Sequence, residues 1–122
     1  MFELNFIKFM KLIFPNIPTY SFVIPEDAPA DAFCFEPAGR GIATNRFDNL
    51  IESRTVKLTR SSKTVSNVFN DNELTKYIRE CYQLGDIPII NARILNVHDL
   101  YDKEQRIFER TYTINFKFKE IK

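Results

Sequence analysis

The last segment of the chain alternates apolar and polar residues with a period of two. Its apolar positions are Tyr112, Ile114, Phe116 and Phe118. The residues between them carry hydroxyl, amide or ammonium groups: Thr111, Thr113, Asn115, Lys117 and Lys119. Because successive side chains of a strand point to opposite faces, this period predicts a half-buried β-strand beginning near Arg106. Such a strand needs neighbouring strands along its edges and an apolar layer over one face.

The first segment has helical spacing instead. Phe2, Phe6, Phe9 and Ile13 recur at intervals of three or four residues, which predicts an amphipathic helix over residues 2–14. Pro15 and Pro18 follow it and end the helix. Its apolar arc is wide, so the helix either packs deeply on a sheet or also meets another protein chain along its outer edge.

A second helix is predicted over residues 71–84. Leu74, Tyr77, Ile78 and Cys81 share one face, Asn70 with Glu73 fits a capping box, and Gly85 occupies a C′ position. The preceding apolar residues, Val65, Val68 and Phe69, fall well off that face. Either the helix breaks near residues 70–72, or one continuous helix is apolar on two sides and needs a second surface to pack against.

Further strands are predicted from short alternating or apolar runs. These runs cover residues 19–24, 32–36, 54–60 and 89–97. The first two lie close together around a proline turn at residues 25–29, which favours an antiparallel hairpin. The alternation of residues 89–97 is imperfect: Ile90, Ala92 and Ile94 suit one face, whereas Leu95 and Val97 suit the other. A β-bulge, or burial of both faces, would explain this.

A polar turn at residues 99–104 completes a C-terminal hairpin. The pattern therefore predicts an α+β fold: a mixed, mainly antiparallel sheet of four to five strands, with two helices packed on one face and a long loop after the second strand. At 122 residues the chain is expected to form a single domain.

The predicted long loop covers residues 37–53, and residues 38–53 are its candidate mobile part. It contains Gly39, Arg40, Gly41 and Arg46, without a sustained period. Loops of this length in compact domains are usually functional or disordered. A mobile hairpin arm, an arm that orders on a neighbouring subunit and a nucleic-acid contact all stay open. The apolar residues of this loop favour a packed contact: Phe47, Leu50 and Ile51.

Charge and cysteine content narrow the function classes. The net charge of +1 argues against a broad nucleic-acid footprint, which needs a large positive excess. Cys34 and Cys81 are far apart and form no zinc or disulfide pattern, so two buried thiols in a reducing compartment are expected. The first fourteen residues are interrupted by Glu3, Lys8 and Lys11. They predict neither a signal peptide nor a membrane span, and we expect a soluble, cytosolically made protein.

The sequence holds no recognisable catalytic, cofactor or metal site. His98 is the only histidine, and the acidic residues that follow it lack the spacing of a calcium loop. Residues 61–63, Ser-Ser-Lys, are better explained by capping than by nucleophilic catalysis. The motifs of common nucleotide-binding and hydrolytic enzymes are missing from the sequence. We therefore do not expect an enzyme.

The order of elements resembles the small tail terminator proteins of long-tailed bacteriophages, also called tail completion or minor capsid proteins. The resemblance covers most of the chain. It is carried by Ile13-Phe14-Pro15, Ile24-Pro25-Glu26-Asp27-Ala28-Pro29, Phe33-Cys34-Phe35-Glu36-Pro37 before Gly39, Val56-Lys57-Leu58-Thr59-Arg60, and the alternating last strand. That family typically has one unbroken helix after the arginine-ended strand, and the change of helical face at residues 65–69 departs from it.

The resemblance implies a structural virion protein without cofactors. Its subunits would form a ring, of six copies, at the head-proximal end of the tail. The partners it implies are further copies of the chain, the tail tube protein and a head completion or connector protein, but neither a membrane nor a specific nucleic acid. Assembly would take place in the bacterial host cytoplasm.

A ring needs contacts between different surfaces of neighbouring subunits. The candidate interface residues are Arg40, Arg46, Phe47, Val65, Val68 and Phe69. Two alternatives stay open. One is a head completion or neck protein on the portal side. The other is a small cytosolic enzyme or ligand-binding α+β domain with a pocket under the long loop.

Overall fold

The computed structural model describes residues 2–44 and 50–119, in an α+β fold. Its elements in chain order are α1 (Phe2–Ile13), β1 (Thr19–Ser21), β2 (Ala32–Thr44), β3 (Leu50–Ser62), α2 (Val65–Phe69), α3 (Asn72–Arg79), β4 (Gln83–Leu84), β5 (Ile87–Asp102) and β6 (Ile107–Lys119). The sheet has six strands, not four to five, in the order β1-β2-β3-β6-β5-β4. The additional strand is β4, in a segment that was predicted to be helical.

β6 lies in the interior of this sheet, between β3 and β5, and its predicted alternation is confirmed. Tyr112, Ile114, Phe116 and Phe118 are all buried on the face that the helices cover. On the opposite face, polar side chains bond across strands. Thr59 and Thr111 join through their hydroxyl groups at 2.8 Å. Asn115 Nδ2 donates to Ser53 Oγ at 2.6 Å and to Thr55 Oγ1 at 3.0 Å.

The first helix, α1, lies on the apolar face of the sheet, and its predicted extent is confirmed within a residue. Phe6 is completely buried, with its ring centroid 5.0 Å from that of Phe35 and 5.6 Å from that of Phe116. Phe2 lies over Phe116 and Phe118, both at 5.4 Å between centroids. Aromatic pairs at these distances add to the free energy gained by burying apolar area.

The prediction that the first two strands form an antiparallel hairpin is wrong. β1 pairs parallel to β2. The Phe33 amide donates to the Pro18 carbonyl, and the Phe22 amide donates to the Phe35 carbonyl, both at 2.8 Å. A tight turn cannot join parallel strands, because the chain must return along its own direction. The proline-containing segment after Phe22 provides this return, and β1 is shorter than predicted.

The predicted long loop is largely a paired hairpin arm. β2 and β3 stay in register from Ala32↔Ser61 to Thr44↔Leu50, with one irregularity between Pro37 and Gly39. Small residues and this irregularity hide the strand period from sequence reading. Pro37 has no amide hydrogen for a neighbour, yet it is tolerated because β1 ends beforehand and leaves this stretch of β2 at the sheet edge. Residues 45–49 lie outside the described residues.

Of the two alternatives for the helical region, the broken helix is confirmed. α2 and α3 are separate, and α3 ends at Arg79 rather than at residue 84. The predicted capping box is wrong: Asp71 occupies the N-cap position and makes no side-chain cap. Gly85 lies in the turn between β4 and β5 with φ of +63°, not at a helix end. A Cβ there would come within 2.8 Å of Asn5 Cγ, so glycine also permits α1 to approach this turn.

A β-bulge explains the imperfect alternation of β5. Register shifts occur between Ile89 and Asn91 and between Ile94 and Asn96, so that Ile90 and Leu95 are the extra residues. Ile90 was predicted to share a face with Ala92 and Ile94, but the first bulge leaves it exposed. β5 continues to Asp102, and the predicted polar turn at residues 99–104 is therefore displaced to residues 103–106. Within the described part of the chain, no helix has the length and hydropathy needed to cross a membrane.

Replacing Phe6 by alanine tests the packing of α1 on the sheet. We expect Phe6→Ala to lower the free energy of unfolding by about 3–5 kcal/mol, because the lost ring leaves a cavity beneath the helix. Leu12, on the same helix, is 79% exposed. Leu12→Ala should therefore change the free energy of unfolding by no more than about 0.5 kcal/mol. Urea unfolding measures both variants, and equal losses would contradict this account of α1.

Candidate assembly surface

β5 presents a long free edge at one side of the sheet. β4 pairs only with Ile87 and Pro88, and one further bond joins the Ile89 amide to the Tyr82 carbonyl at 2.8 Å. From Ile90 to Asp102, no strand of the described residues borders the outer side of β5. Its outward N–H and C=O groups can therefore pair with another chain. Natural proteins usually protect such an edge, because it is a template for strand addition.

Exposed apolar side chains accompany this edge, alongside the charged residues Arg93, Asp99 and Asp102. The exposed apolar residues of β5 are Ile90, Leu95, Val97, Leu100 and Tyr101. Leu95 is 52% exposed and is directed outward as the extra residue of the second bulge. A row of apolar side chains beside unsatisfied backbone groups is typical of a surface that another protein covers.

An aromatic cluster borders the end of the β5 edge. The Tyr101 and Phe108 rings lie 4.6 Å apart between centroids, and Phe69 of α2 lies 6.5 Å from Phe108. Val65, on the same short helix as Phe69, is also exposed. α2 thereby extends the apolar surface from the sheet edge onto the helical layer.

Arg110 links the helical layer to β5 next to this aromatic cluster. Its guanidinium donates to both carboxylate oxygens of Asp99 on β5, at 2.7 and 3.1 Å, and to Asp71 between α2 and α3 at 3.1 Å. It also lies over the Phe69 ring, 4.4 Å from the centroid. One side chain thus joins the helical layer to β5, with the planar, bidentate geometry that arginine favours.

The charges around Arg110 shift several pKa values. Hydrogen bonds from Arg110 lower the pKa of Asp99 below its usual value of 3.8. The same bonds raise the pKa of Arg110, so this side chain remains charged. Tyr112 donates its hydroxyl proton to Asp71 at 2.5 Å. Burial, followed by this bond to Asp71, raises the pKa of Tyr112. All of these shifts favour the protonation states that hold the cluster together at neutral pH.

The predicted interface residues lie in different environments. Val68 is completely buried in its own subunit, so its side chain has no surface to offer to a second copy in this fold. Val65 and Phe69 are exposed near the β5 edge. Arg40 is at the root of the arm, far from them along the strands. Arg46 and Phe47 lie outside the described residues.

Arg40 is engaged within its own subunit. Arg40 Nε and Arg54 Nε both donate to Glu52 Oε1, at 2.5 and 2.9 Å. Burial alone would raise the pKa of Glu52, but the hydrogen bonds from Arg54 and Arg40 outweigh burial and lower it. Beside this cluster is a cavity of about 260 Å³ lined in part by Phe2, Glu3 and Arg40. It is the nearest match to the pocket predicted under the long loop.

The serines that could suggest a nucleophile have structural partners. Ser61 Oγ donates to the Ala30 carbonyl at 3.0 Å, and Ser62 Oγ accepts from the Thr64 amide at 3.1 Å. Over residues 2–44 and 50–119, no three His, Cys, Asp or Glu side chains are grouped so that they could hold a metal ion.

Sequence reading missed the residues of the β5 edge as a surface. The available signal was the run of apolar residues at Leu95, Val97 and Leu100, which period alone cannot assign to a buried or an exposed position. Whether a strand lies at the edge depends on sheet order, which the pattern along one strand does not contain.

Comparisons with known proteins give a likeness among solved structures. No family model matches this chain. The search of curated proteins likewise gives no significant match. Among solved structures, the chain is similar to one from the "Virion of native gene transfer agent (GTA) particle", with a TM-score of 0.63 and 6% sequence identity. The alignment covers 91% of this chain and 84% of that one. At this identity the likeness shows a common fold.

The Asp99–Arg110 pair predicts an acid-sensitive contribution to stability. The pKa of Asp99 is lower in the folded state, so its ionised form stabilises the fold above its ordinary value of 3.8, and this contribution disappears as pH falls through the folded-state pKa. We expect Asp99→Asn to be less stable than the parent chain at neutral pH, with a difference that narrows below about pH 4. Urea unfolding across this range measures it.

The same substitution in an Arg110→Met background is the matched control. There the hydrogen bonds that lower the pKa of Asp99 are gone, so the difference should depend much less on pH. A stability difference that stays constant in the original background as pH falls would contradict the proposed pairing.

Proposed function

We propose that this protein is a structural component of a virion, and specifically a tail terminator whose copies form a ring that caps the tail tube and joins it to the head. Two observations support the proposal. A chain of similar fold belongs to a gene transfer agent virion. The order of sequence elements independently resembles the tail terminators of long-tailed bacteriophages. A fold by itself hosts many functions, so the surface must carry the argument.

The single observation that carries it is the free β5 edge. An isolated subunit leaves the backbone groups beyond Ile89 and five apolar side chains of the same strand in water. A neighbouring subunit that adds its own strand would form hydrogen bonds with these backbone groups and bury these side chains. The opposite side of the sheet ends in a different strand, β1, so such a contact joins two different surfaces. Contacts of this kind close into rings when the rotation per subunit permits.

The remaining surfaces suit contacts above and below such a ring. Val65 and Phe69 lie near the hairpin turn that joins β5 to β6, whereas Arg40 lies toward the opposite end of the sheet. We propose six copies, with the tail tube protein and a head completion or connector protein as partners on the two sides. The net charge of +1 keeps long-range repulsion between copies small.

A lysine on the β5 edge should prevent assembly. Leu95→Lys adds a charge to an exposed position, so we expect the free energy of unfolding to change by less than about 0.5 kcal/mol. Ring formation, measured by mass photometry, should be lost because the charge would be buried against the neighbouring strand. Asn72→Lys adds the same charge at an exposed position on α3 and should leave rings intact. Equal ring formation by both variants would contradict a contact at this edge.

Electron microscopy of particles assembled without this protein tests the function itself. A missing terminator should give tail tubes of unregulated length and heads that carry no tails. Leu95→Lys should give the same particles, while Asn72→Lys should restore joined tails. Joined tails of normal length in the absence of the protein would contradict the proposal, and normal tails that fail to join the head would indicate the alternative neck role.

A further inference from the structure

The residues after β1 form a strained and exposed apolar turn. Phe22 has φ of +66°, a conformation in which a bulky side chain is an outlier. The Val23 amide donates to the Ser21 carbonyl at 2.8 Å, which makes this a three-residue turn centred on Phe22. Phe22 is nevertheless 62% exposed and Val23 is 73% exposed. Backbone strain that presents an aromatic ring to solvent has no use inside this subunit, and strain of this kind tends to concentrate at functional sites.

This turn and the apolar part of the β5 edge lie at the same height on opposite sides of the sheet. The Phe22 amide bonds to the Phe35 carbonyl, which places the turn beside Phe35 on β2. Phe35 is paired with Leu58, and Leu58 with Tyr112. Tyr112 is paired with Val97 on β5. Subunits related by rotation about an axis along the strands would therefore bring the turn of one copy to Val97 of the next.

We infer that the β5 edge of each subunit receives β1 and the Phe22–Val23 turn of the neighbouring copy. This inference rests on the ring proposed above and identifies its two contacting surfaces. The strand directions are compatible. β1 runs parallel to β2, while β3, β6 and β5 alternate in direction. A copy in the same orientation thus lays β1 antiparallel to β5 and brings Phe22 of that copy to the height of Val97.

One pair of opposite charges at a similar height supports this contact. From Leu12 to Ala38 the chain contains acidic residues but no lysine, arginine or histidine. Of these acidic residues, only Asp31 takes part in an ion pair between described residues. The β5 side carries Arg93, Lys103 and Arg106 together with Asp102 and Glu104, and its own Asp99 is already bound to Arg110. Glu36 pairs with Lys57, Lys57 with Thr113, and Thr113 with Asn96. Glu36 therefore lies at the same height in the sheet as Asn96, near Arg93. The acidic side of one copy thus places Glu36 near Arg93 of the next.

Disulfide trapping between two separate variants tests this contact. In a Cys34→Ser, Cys81→Ala background, one chain carries Val23→Cys and another carries Val97→Cys. β2, β3 and β6 separate β1 from β5 within a subunit. At about 4.8 Å per strand spacing, the two sites are roughly 19 Å apart, too far for a disulfide inside one chain. We expect a covalent dimer when the two chains are mixed and oxidised, and neither chain should cross-link with itself.

A chain that carries both substitutions should form a ladder of covalent multimers. Val23→Cys combined with Lys57→Cys is the matched control, because Lys57 is exposed but lies on the interior strand β3. This control should give no ladder. Self-cross-linking of the Val97→Cys chain alone would show that two β5 edges pair with each other, and it would overturn the inference.

Phe22→Gly tests the contact between copies without disturbing the fold. Glycine adopts a positive φ without strain, so thermal stability should be unchanged or slightly higher. Self-association should weaken about tenfold or more, because the inserted aromatic ring is lost. Leu12→Ala removes another exposed apolar side chain, on α1, and should leave association unchanged. Rings that form without the Val23–Val97 cross-link, or that tolerate Phe22→Gly unchanged, overturn this contact and leave the proposed function standing.

Discussion

The burial of one face of β6 beneath α1 is the contact on which the rest of the fold depends. Phe6 and Phe2 lie against Phe116 and Phe118, and these rings form the centre of the core. β6 pairs with β3 on one side and β5 on the other over almost its whole length. The helix therefore fixes which face of all three strands is covered, because a shift of one residue in register would invert every side chain.

Three arginines lie at the border of this core and make the same kinds of contact. Each lies over a phenylalanine ring and binds a carboxylate from another part of the chain: Arg54 with Phe2 and Glu3, Arg60 with Phe33 and Asp31, and Arg110 with Phe69, Asp71 and Asp99. A guanidinium can cover apolar surface while it remains hydrogen bonded to a carboxylate. These arginines thus join helices and loops to the strands at the solvent-exposed border of the apolar layer.

The apolar face of the sheet is buried within one subunit, but the two edges of the sheet remain partly unpaired. β4 protects only the beginning of β5, and β1 protects only part of β2. The two bulges of β5 direct Ile90 and Leu95 outward, and the turn after β1 holds Phe22 in a strained backbone conformation. These features cost stability in an isolated chain. The proposed ring, in which adjacent sides cover each other, would account for all of them together.

The sequence by itself determined the class of the first and last segments of the chain. The period of two in residues 111–119 and the helical spacing of residues 2–14 identify the two layers, because each pattern reflects burial against one neighbouring surface. The departure of Val65 and Phe69 from the α3 face left a broken and a continuous helix both open, and the structure shows the break. What stayed hidden were relations between distant segments. The parallel direction of β1, the pairing of the arm around Pro37 and the edge position of β5 all depend on which strands become neighbours. Only the tertiary structure decides this, because backbone hydrogen bonds between strands depend very little on the order of side chains along the sequence. For the same reason the buried position of Val68 and the exposed position of Leu95 could not be told apart along the chain: both are apolar, and the difference lies in what the fold places beside them.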